Sequence, residues 1–256
     1  MTTMMNAEKV DIFDGDNREV YEQLYFHYSA FKVLGFLPKT ALDVGAAWGQ
    51  WSFTLKKVYP ELVITQVEPD DRAYGVLNQV NAHLGITELY KVALSHHLGT
   101  AEFHRTPGHD IKSVGNGSLN REITGWGDMM ETVQVPLETL EHLFGERSFD
   151  LIKMDTQGTE WDIIHGGLPL IKRAHFVQLE LSLAEYNKGD RLFHEYVGLM
   201  ADLGFRVVHI PQLHYWYHLV KFPDCKFQIQ ADAIFQNEHH PDFADYSKKY
   251  LLRPGT

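Results

Sequence analysis

A single cysteine, Cys225, stands among 256 residues. One thiol cannot close an internal disulfide, so the chain suits a reducing compartment and a cytoplasmic location is expected. Cys225 itself reads as an unreactive, partly buried residue. Long apolar runs are also missing, and none approaches the roughly 20 residues that span a bilayer. The start, MTTMMNAEKVDIFDGD, lacks a basic segment leading into an apolar one, so no secretory signal is expected. No basic run occurs, and the formal net charge is −11. Proteins that follow a phosphate backbone carry a basic stripe, so nucleic acid is not expected as a partner. Internal repeats and low-complexity tracts are absent.

What is present reads as one α/β protein. Short apolar runs at 40–44, 62–67, 88–95, 149–155, 175–182, 206–210 and 230–236 predict strands buried on both faces. Helical stripes lie between them. Trp51, Leu55, Val58 and Tyr59 form one, stopped by Pro60. Ala73, Leu77, Val80 and Leu84 form another, with Asp70 or Asp71 placed to cap its start and Gly85 its end. Phe193, Tyr196, Val197, Met200 and Leu203 form a third, closed by Gly204. Such alternation predicts a doubly wound, mostly parallel sheet, whose ligands sit beyond the C-terminal ends of the strands.

Residues 1–40 predict a helical extension carrying Tyr21, Leu24, Tyr25, Tyr28, Phe31 and Leu34. The main domain is expected over 41–238 and a tail over 239–256. Two stretches break the rhythm. Residues 96–148 are glycine-rich, with no clear helix until 137–144. Residues 211–229 carry the aromatic cluster His214-Tyr215-Trp216-Tyr217-His218. Both read as lids or substrate loops. His214 and His218 have the spacing of two zinc ligands on a helix. The glutamate of H-E-x-x-H is missing, so packing or an aromatic substrate wall is the favoured reading.

Chemistry is sought at the strand ends. The first strand runs into Asp43-Val44-Gly45-Ala46-Ala47-Trp48-Gly49, and a helix follows at once. Glycines there let the backbone turn tightly and approach a ligand. The G-x-G-x-x-G spacing of a dinucleotide site is absent. Asp43 is placed to meet an ammonium group, which suits an aminoacyl nucleoside. Trp48, inside the turn, is placed to touch that ligand. The second strand ends in Val67-Glu68-Pro69, and a carboxylate at Glu68 accepts hydrogen bonds from ribose hydroxyls.

The strand at 149–155 puts Lys153 and Asp155 on one face. Asp155 ends it beside the glycine turn, and Glu180 ends the neighbouring strand. Asp155, Glu160 and Glu180 are the candidate catalytic acids. They can deprotonate a hydroxyl, or Asp155 and Glu180 can hold magnesium or manganese that acidifies it. Lys153 is expected to neutralise one of these acids in a buried pair, and Glu160 alternatively caps the helix that follows it.

These residues resemble the FkbM family of class I methyltransferases. The matching stretches run from Asp43 to about Gln236: ALDVGAAWGQWS, VEPDDRAYGVLNQVNAHLG, KVALSHHLGTAEF, NGSL, VPLETL, FDLIKMDTQGTEWDIIHGG, QLELS and QADAIF. The most specific is Ile152 to Glu160, followed by Leu179-Glu180. The resemblance implies a Rossmann-like, seven-stranded sheet with its last strand antiparallel. It implies S-adenosylmethionine as cofactor and O-methylation of a sugar, glycan or natural-product hydroxyl. Asp43, Gly45 and Gly49, with Ala46 and Trp48, would hold the methionine part. Glu68 and Pro69 would lie at the ribose, Ala93 near the adenine, and Ser118 of NGSL near the site. The family's first motif often reads Asp-x-Gly-Ala-Asn-x-Gly, and here the Asn position is Ala47.

Two other readings compete. A nicotinamide-dependent oxidoreductase would share Glu68 but lacks the glycine fingerprint. A non-catalytic nucleoside-binding protein of the same fold would not need Asp155, Glu160 and Glu180.

Overall fold

The computed structural model describes residues 16–108, 114–123, 127–216 and 227–244. In chain order these form α1 (Asp16–Val33), β1 (Thr40–Val44), α2 (Gln50–Val58), β2 (Val63–Val67), α3 (Tyr74–Leu84), β3 (Glu88–Tyr90), β4 (Ala93–Leu94), β5 (Gly99–Arg105) and β6 (Glu131–Glu138). Then come α4 (Leu140–Phe144), β7 (Leu151–Met154), α5 (Glu160–His165), α6 (Leu168–Arg173), β8 (Phe176–Ser182), α7 (Phe193–Asp202), β9 (Phe205–Trp216) and β10 (Phe227–Asn237).

Seven strands build the main sheet in the order β3-β2-β1-β7-β8-β10-β9. β10 is antiparallel to both of its neighbours, and the remaining pairs are parallel. The chain winds outward from β1 through β2 to β3, then returns to place β7 on the other side of β1. A crevice opens at such a reversal, beyond the strand ends. The expected α/β sheet with its antiparallel last strand is therefore present.

Period 2 divides the strands between two cores. Leu42, Val44, Ile152, Met154, Val177 and Leu179 face α4, α5, α6 and α7. Ala41, Ile64, Leu151, Phe176 and Ile234 face α1 and α2. α1 is thus part of the core, because Leu24, Tyr28 and Phe31 are buried against the sheet. α2 ends before Pro60, and Gly85 caps α3 at φ +69°.

The expectation for 88–95 needs correction. The run is two strands, β3 and β4, that belong to different sheets. Residues 96–148 are also more ordered than their glycines suggest. β4, β6 and β5 form a second sheet, in that order, with β5 and β6 as an antiparallel pair. Among the described residues of this stretch, a 3-10 turn lies at Gly127–Met129 and the α-helix is α4, after β6 has run to Glu138. β9 and β10 extend well past the predicted runs, so His214 lies on a strand opposite Gln230. Tyr217, His218 and Cys225 lie outside the described residues.

Candidate active site

The turn after β1 is set by contact with the end of β7. Gly45 has φ +73°, and a Cβ placed on it would lie 1.9 Å from the carbonyl oxygen of Asp155. Only glycine fits that approach. Ala47 also takes a positive φ, +46°, which asparagine adopts more readily than alanine. That conformation turns the Ala47 N–H toward Glu68, to which it donates at 2.7 Å.

Glu68 bridges two loops. Its Oε2 accepts from Ala47 N–H, and its Oε1 accepts from Asp70 N–H at 2.8 Å. Each oxygen keeps a second lone pair. Burial pushes the Glu68 carboxyl up to about 7, against the pull of the Asp70 and Ala47 N–H groups.

A cleft of about 580 Å³ opens beside these groups. Gly45, Ala47, Glu68 and Pro69 line one side of it, and Ala93, Phe103 and Leu119 belong to the small sheet and its loop. Asp155, Thr156 and Thr159 come from the β7–α5 loop. The Phe103 ring lies against Gly117, where a Cβ would come within 2.1 Å of it. The small sheet is tied to the β2–α3 loop by ions. Arg105 donates to Asp70 Oδ1 at 2.9 Å, to Asp71 Oδ1 at 2.7 Å and to Glu131 Oε1 at 2.7 Å.

Beneath the cleft runs a buried polar row. Gln66, Asp43, Lys153 and Gln178 sit directly across from one another on β2, β1, β7 and β8. Lys153 Nζ donates to the Gly45 carbonyl at 2.7 Å and lies 3.3 Å from Asp43 Oδ1 and 3.4 Å from Asp155 Oδ2. Burial alone would lower the Lys153 ammonium, but the facing Asp155 and Asp43 carboxylates outweigh it and hold it above the usual lysine range. Lys153 has therefore the buried pairing expected of it, with two acids instead of one. Asp43 Oδ2 accepts from Ser52 Oγ at 2.6 Å, Ser52 Oγ from Gln66 Nε2 at 2.9 Å, and Gln66 Oε1 from Asn81 Nδ2 at 2.7 Å.

The three candidate acids do not stand alike. Asp155 lines the cleft, with 34% of its side chain exposed. Glu180 is buried next to it. Burial, then the Asp155 and Asp232 carboxyls, push Glu180 well above the ordinary carboxylate range. Glu160 is turned away from the cleft. Its Oε1 accepts from Thr156 N–H at 2.6 Å and Thr156 Oγ1 at 2.8 Å, and its Oε2 from Gly158 N–H at 3.1 Å. Burial leads in pushing the Glu160 carboxyl to about 7, against the Thr156 N–H, its own N–H and the Thr156 hydroxyl.

Gly45, Glu68, Pro69, Ala93 and Asp155 thus come together around one cleft. Asp43 is not in its wall: it is wholly buried and engaged by Lys153 and Ser52. Ala46 and Gly49 are buried behind the turn, and Trp48 packs beside Phe53 and Val80. Ser118 is buried and donates from Oγ to the Gln157 carbonyl at 2.7 Å, so it reaches the site through that loop. Among the described residues, no group of three or more His, Cys, Asp or Glu side chains is arranged to hold a metal ion. Sequence reasoning missed Gln157, Tyr186 and Gln230, whose side chains meet Glu180 or one another, and also Phe103 and Arg105.

The model of the methyltransferase FkbM domain matches residues 43–207, from the buried Asp43 into β9. The chain belongs to the FkbM methyltransferase family. The FkbM match covers the glycine turn, the cleft and all three candidate acids. A curated relative, the 2-O-methyltransferase NoeI of Sinorhizobium fredii, is 27% identical over 182 residues. That alignment covers 67% of this chain and 75% of NoeI. The crystal structure of magnesium protoporphyrin IX methyltransferase (ChlM) from Synechocystis PCC 6803 with bound SAH shares the fold at a TM-score of 0.50. It has 10% identity and covers 86% of this FkbM chain and 82% of its own. A putative RNA methyltransferase, PH1948 from Pyrococcus horikoshii, superposes at a TM-score of 0.48 with 10% identity, covering 87% of this chain and 83% of its own. No helix among the described residues is long and apolar enough to cross a membrane.

Proposed function

We propose that this methyltransferase uses S-adenosylmethionine and methylates a hydroxyl of a sugar, glycan or natural-product small molecule. The observation that carries this reading is the order of groups along one cleft. A carboxylate with free lone pairs, Glu68, lies toward the small sheet, and a partly exposed acid, Asp155, lies beside the glycine turn. The name of NoeI, a 2-O-methyltransferase, supports oxygen as the acceptor atom.

The residues present fit the cofactor. The apolar wall of Ala93, Phe103 and Leu119 suits a flat base, and Glu68 suits ribose hydroxyls. Gly45, drawn against the end of β7, sets the turn that lines the cleft where an aminoacyl group would lie. Asp43 acts from below, by fixing Lys153 and through it the Gly45 carbonyl. When bound, S-adenosylmethionine supplies a methyl group on a sulfonium and leaves as a thioether, with the electrons of the broken bond on sulfur. Asp155 takes the acceptor's proton as the acceptor oxygen bonds to the methyl carbon. Walls on both sides hold the acceptor in line for that displacement.

Calorimetry with S-adenosylhomocysteine tests the first half of the proposal. A labelled-methyl assay against nucleotide sugars, oligosaccharides and polyketide alcohols tests the second. Binding and methyl transfer to a hydroxyl are expected, with D155N slowing transfer by about 10²-fold or more while still binding S-adenosylhomocysteine. No binding of S-adenosylhomocysteine, together with a melting shift caused by a nicotinamide dinucleotide, would overturn it.

A further inference from the structure

We infer that Gln157 is a positioning residue that holds the Asp155 and Glu180 carboxyl groups together as a pair sharing one proton. The inference rests on the methyltransferase reading of this cleft, and it names a residue that reading does not use.

The geometry around Gln157 is determined from every side. Its Nε2 donates to Asp155 Oδ1 at 3.0 Å and to Glu180 Oε2 at 2.5 Å. Its Oε1 accepts from Tyr186 Oη and, at 3.3 Å, from Gln230 Nε2. Turning the amide over would set its oxygen against two carboxyl groups. Its backbone is fixed as well. Gln157 has φ +57°, and its carbonyl accepts from Ser118 Oγ at 2.7 Å and Asn187 Nδ2 at 2.8 Å. Gly158 follows at φ +98°, where a Cβ would lie 2.1 Å from Asp190 Oδ1. A non-glycine residue rarely holds a positive φ unless its surroundings enforce it. The Ser118 loop and the loop that carries Asn187 and Asp190 enforce it here.

The carboxyl pair needs such a holder. Asp155 Oδ1 and Glu180 Oε2 both lie within hydrogen-bond distance of the one Gln157 Nε2, and two carboxyl groups held that close resist ionising together, so one keeps its proton. Gln230 Nε2 also donates to Glu180 Oε2, at 3.1 Å. The charged and titratable groups facing Glu180 are Lys153 from β7, Asp155 from the loop after it, Asp232 from β10, Glu160 from α5 and Tyr186 from the loop after β8. Lys153 lies against Asp155 and so places the negative charge of the pair on the cleft side. Glu180 then keeps the proton, and the ionised Asp155, which lines the cleft, is the group that receives the acceptor's proton. Gln157 contributes two N–H bonds to the charged form without adding a charge.

Carbon-13 NMR of side-chain carboxyls in the full chain, followed through a pH titration, tests this. E180Q assigns the Glu180 resonance. In the wild type, the Glu180 signal should stay protonated through neutral pH and ionise only above it. Q157L removes both N–H donors and should raise that upper ionisation by about one pH unit. Y186F frees the amide to turn and should move it in the same direction by less. A purely structural role for Gln157 would lower the melting temperature and leave the titration in place. Overlaid wild-type and Q157L titrations, or a wild-type Glu180 that ionises in the ordinary carboxylate range, would overturn the inference. If Q157L does not fold, the Y186F titration decides by the same criterion. Calorimetry with S-adenosylhomocysteine on the wild type is run beside it. Its failure would remove the cofactor assignment while the carboxyl titration still settles Gln157.

Discussion

The carbonyl oxygen of Asp155 occupies the space into which a side chain at Gly45 would grow. The tips of β1 and β7 therefore meet backbone to backbone at this point, and the cleft acid and the glycine turn are placed by the same contact. G45A introduces a methyl group 1.9 Å from that oxygen, at a φ of +73°. The two strand ends must part to admit it. A loss of stability on the order of 3 kcal/mol is expected, with loss of the melting shift given by S-adenosylhomocysteine. A G45A protein that melts and responds like the wild type would refute the contact.

Glu68 presents acceptors to both of its loops and to the cleft. E68Q keeps the shape but replaces one oxygen with an amide nitrogen, which must face either Ala47 N–H or Asp70 N–H. Affinity for S-adenosylhomocysteine should fall ten- to a hundredfold, about the size of one or two hydrogen bonds to a charged group. Titration calorimetry reads this directly. An unchanged dissociation constant would remove Glu68 from the binding site.

His27 Nδ1 and His209 Nε2 lie 2.7 Å apart, joining α1 to β9. One nitrogen must carry hydrogen and the other must not, so two charged rings cannot make this bond. Burial first, and His27 second, lower His209 to about 4 from its ordinary 6.5. The sign follows from linkage. A base whose pKa drops on folding stabilises the fold fully above about 6.5, and loses that contribution as pH falls through about 4. H209F removes the bond and its titration together. The stability difference between wild type and H209F, from urea unfolding, should be flat above pH 7 and change progressively toward pH 4. A difference that does not vary with pH would exclude His209 as its source.

The parts of this fold visible in the sequence are those dictated by neighbours along the chain. The strand runs at 40–44 and 230–236 are apolar enough to read directly. The place of Asp155 at the cleft is legible because a strand ends there, beside the turn that Gly45 and Gly49 announce. The small sheet went unread although Val133, Val135 and Leu137 alternate with Thr132, Gln134 and Pro136 along β6. Its partners explain why: β4 has two residues, and β5 is exposed at its start and buried only at Phe103 and Arg105, so neither gives a periodic stretch to count. Asp43 reads as a ligand contact because it stands two residues before Gly45 in the turn. Its burial follows from Lys153 and Ser52, residues that no spacing rule connects to it. Gln157 was passed over for the same reason. Its place depends on contacts from Ser118, Tyr186, Asn187 and Gln230, which only the folded chain brings to one point.

The Gln66–Asp43–Lys153–Gln178 row also bears on how the sheet assembles. In an apolar interior, a strand that slips by two residues still buries hydrocarbon and lingers as a trap. Here such a slip would set the Lys153 ammonium opposite an aliphatic neighbour and leave Asp43 without a counterion. Misaligned arrangements are thus electrostatically intolerable from the moment the strands dock, and the ammonium serves as a key that admits a single alignment.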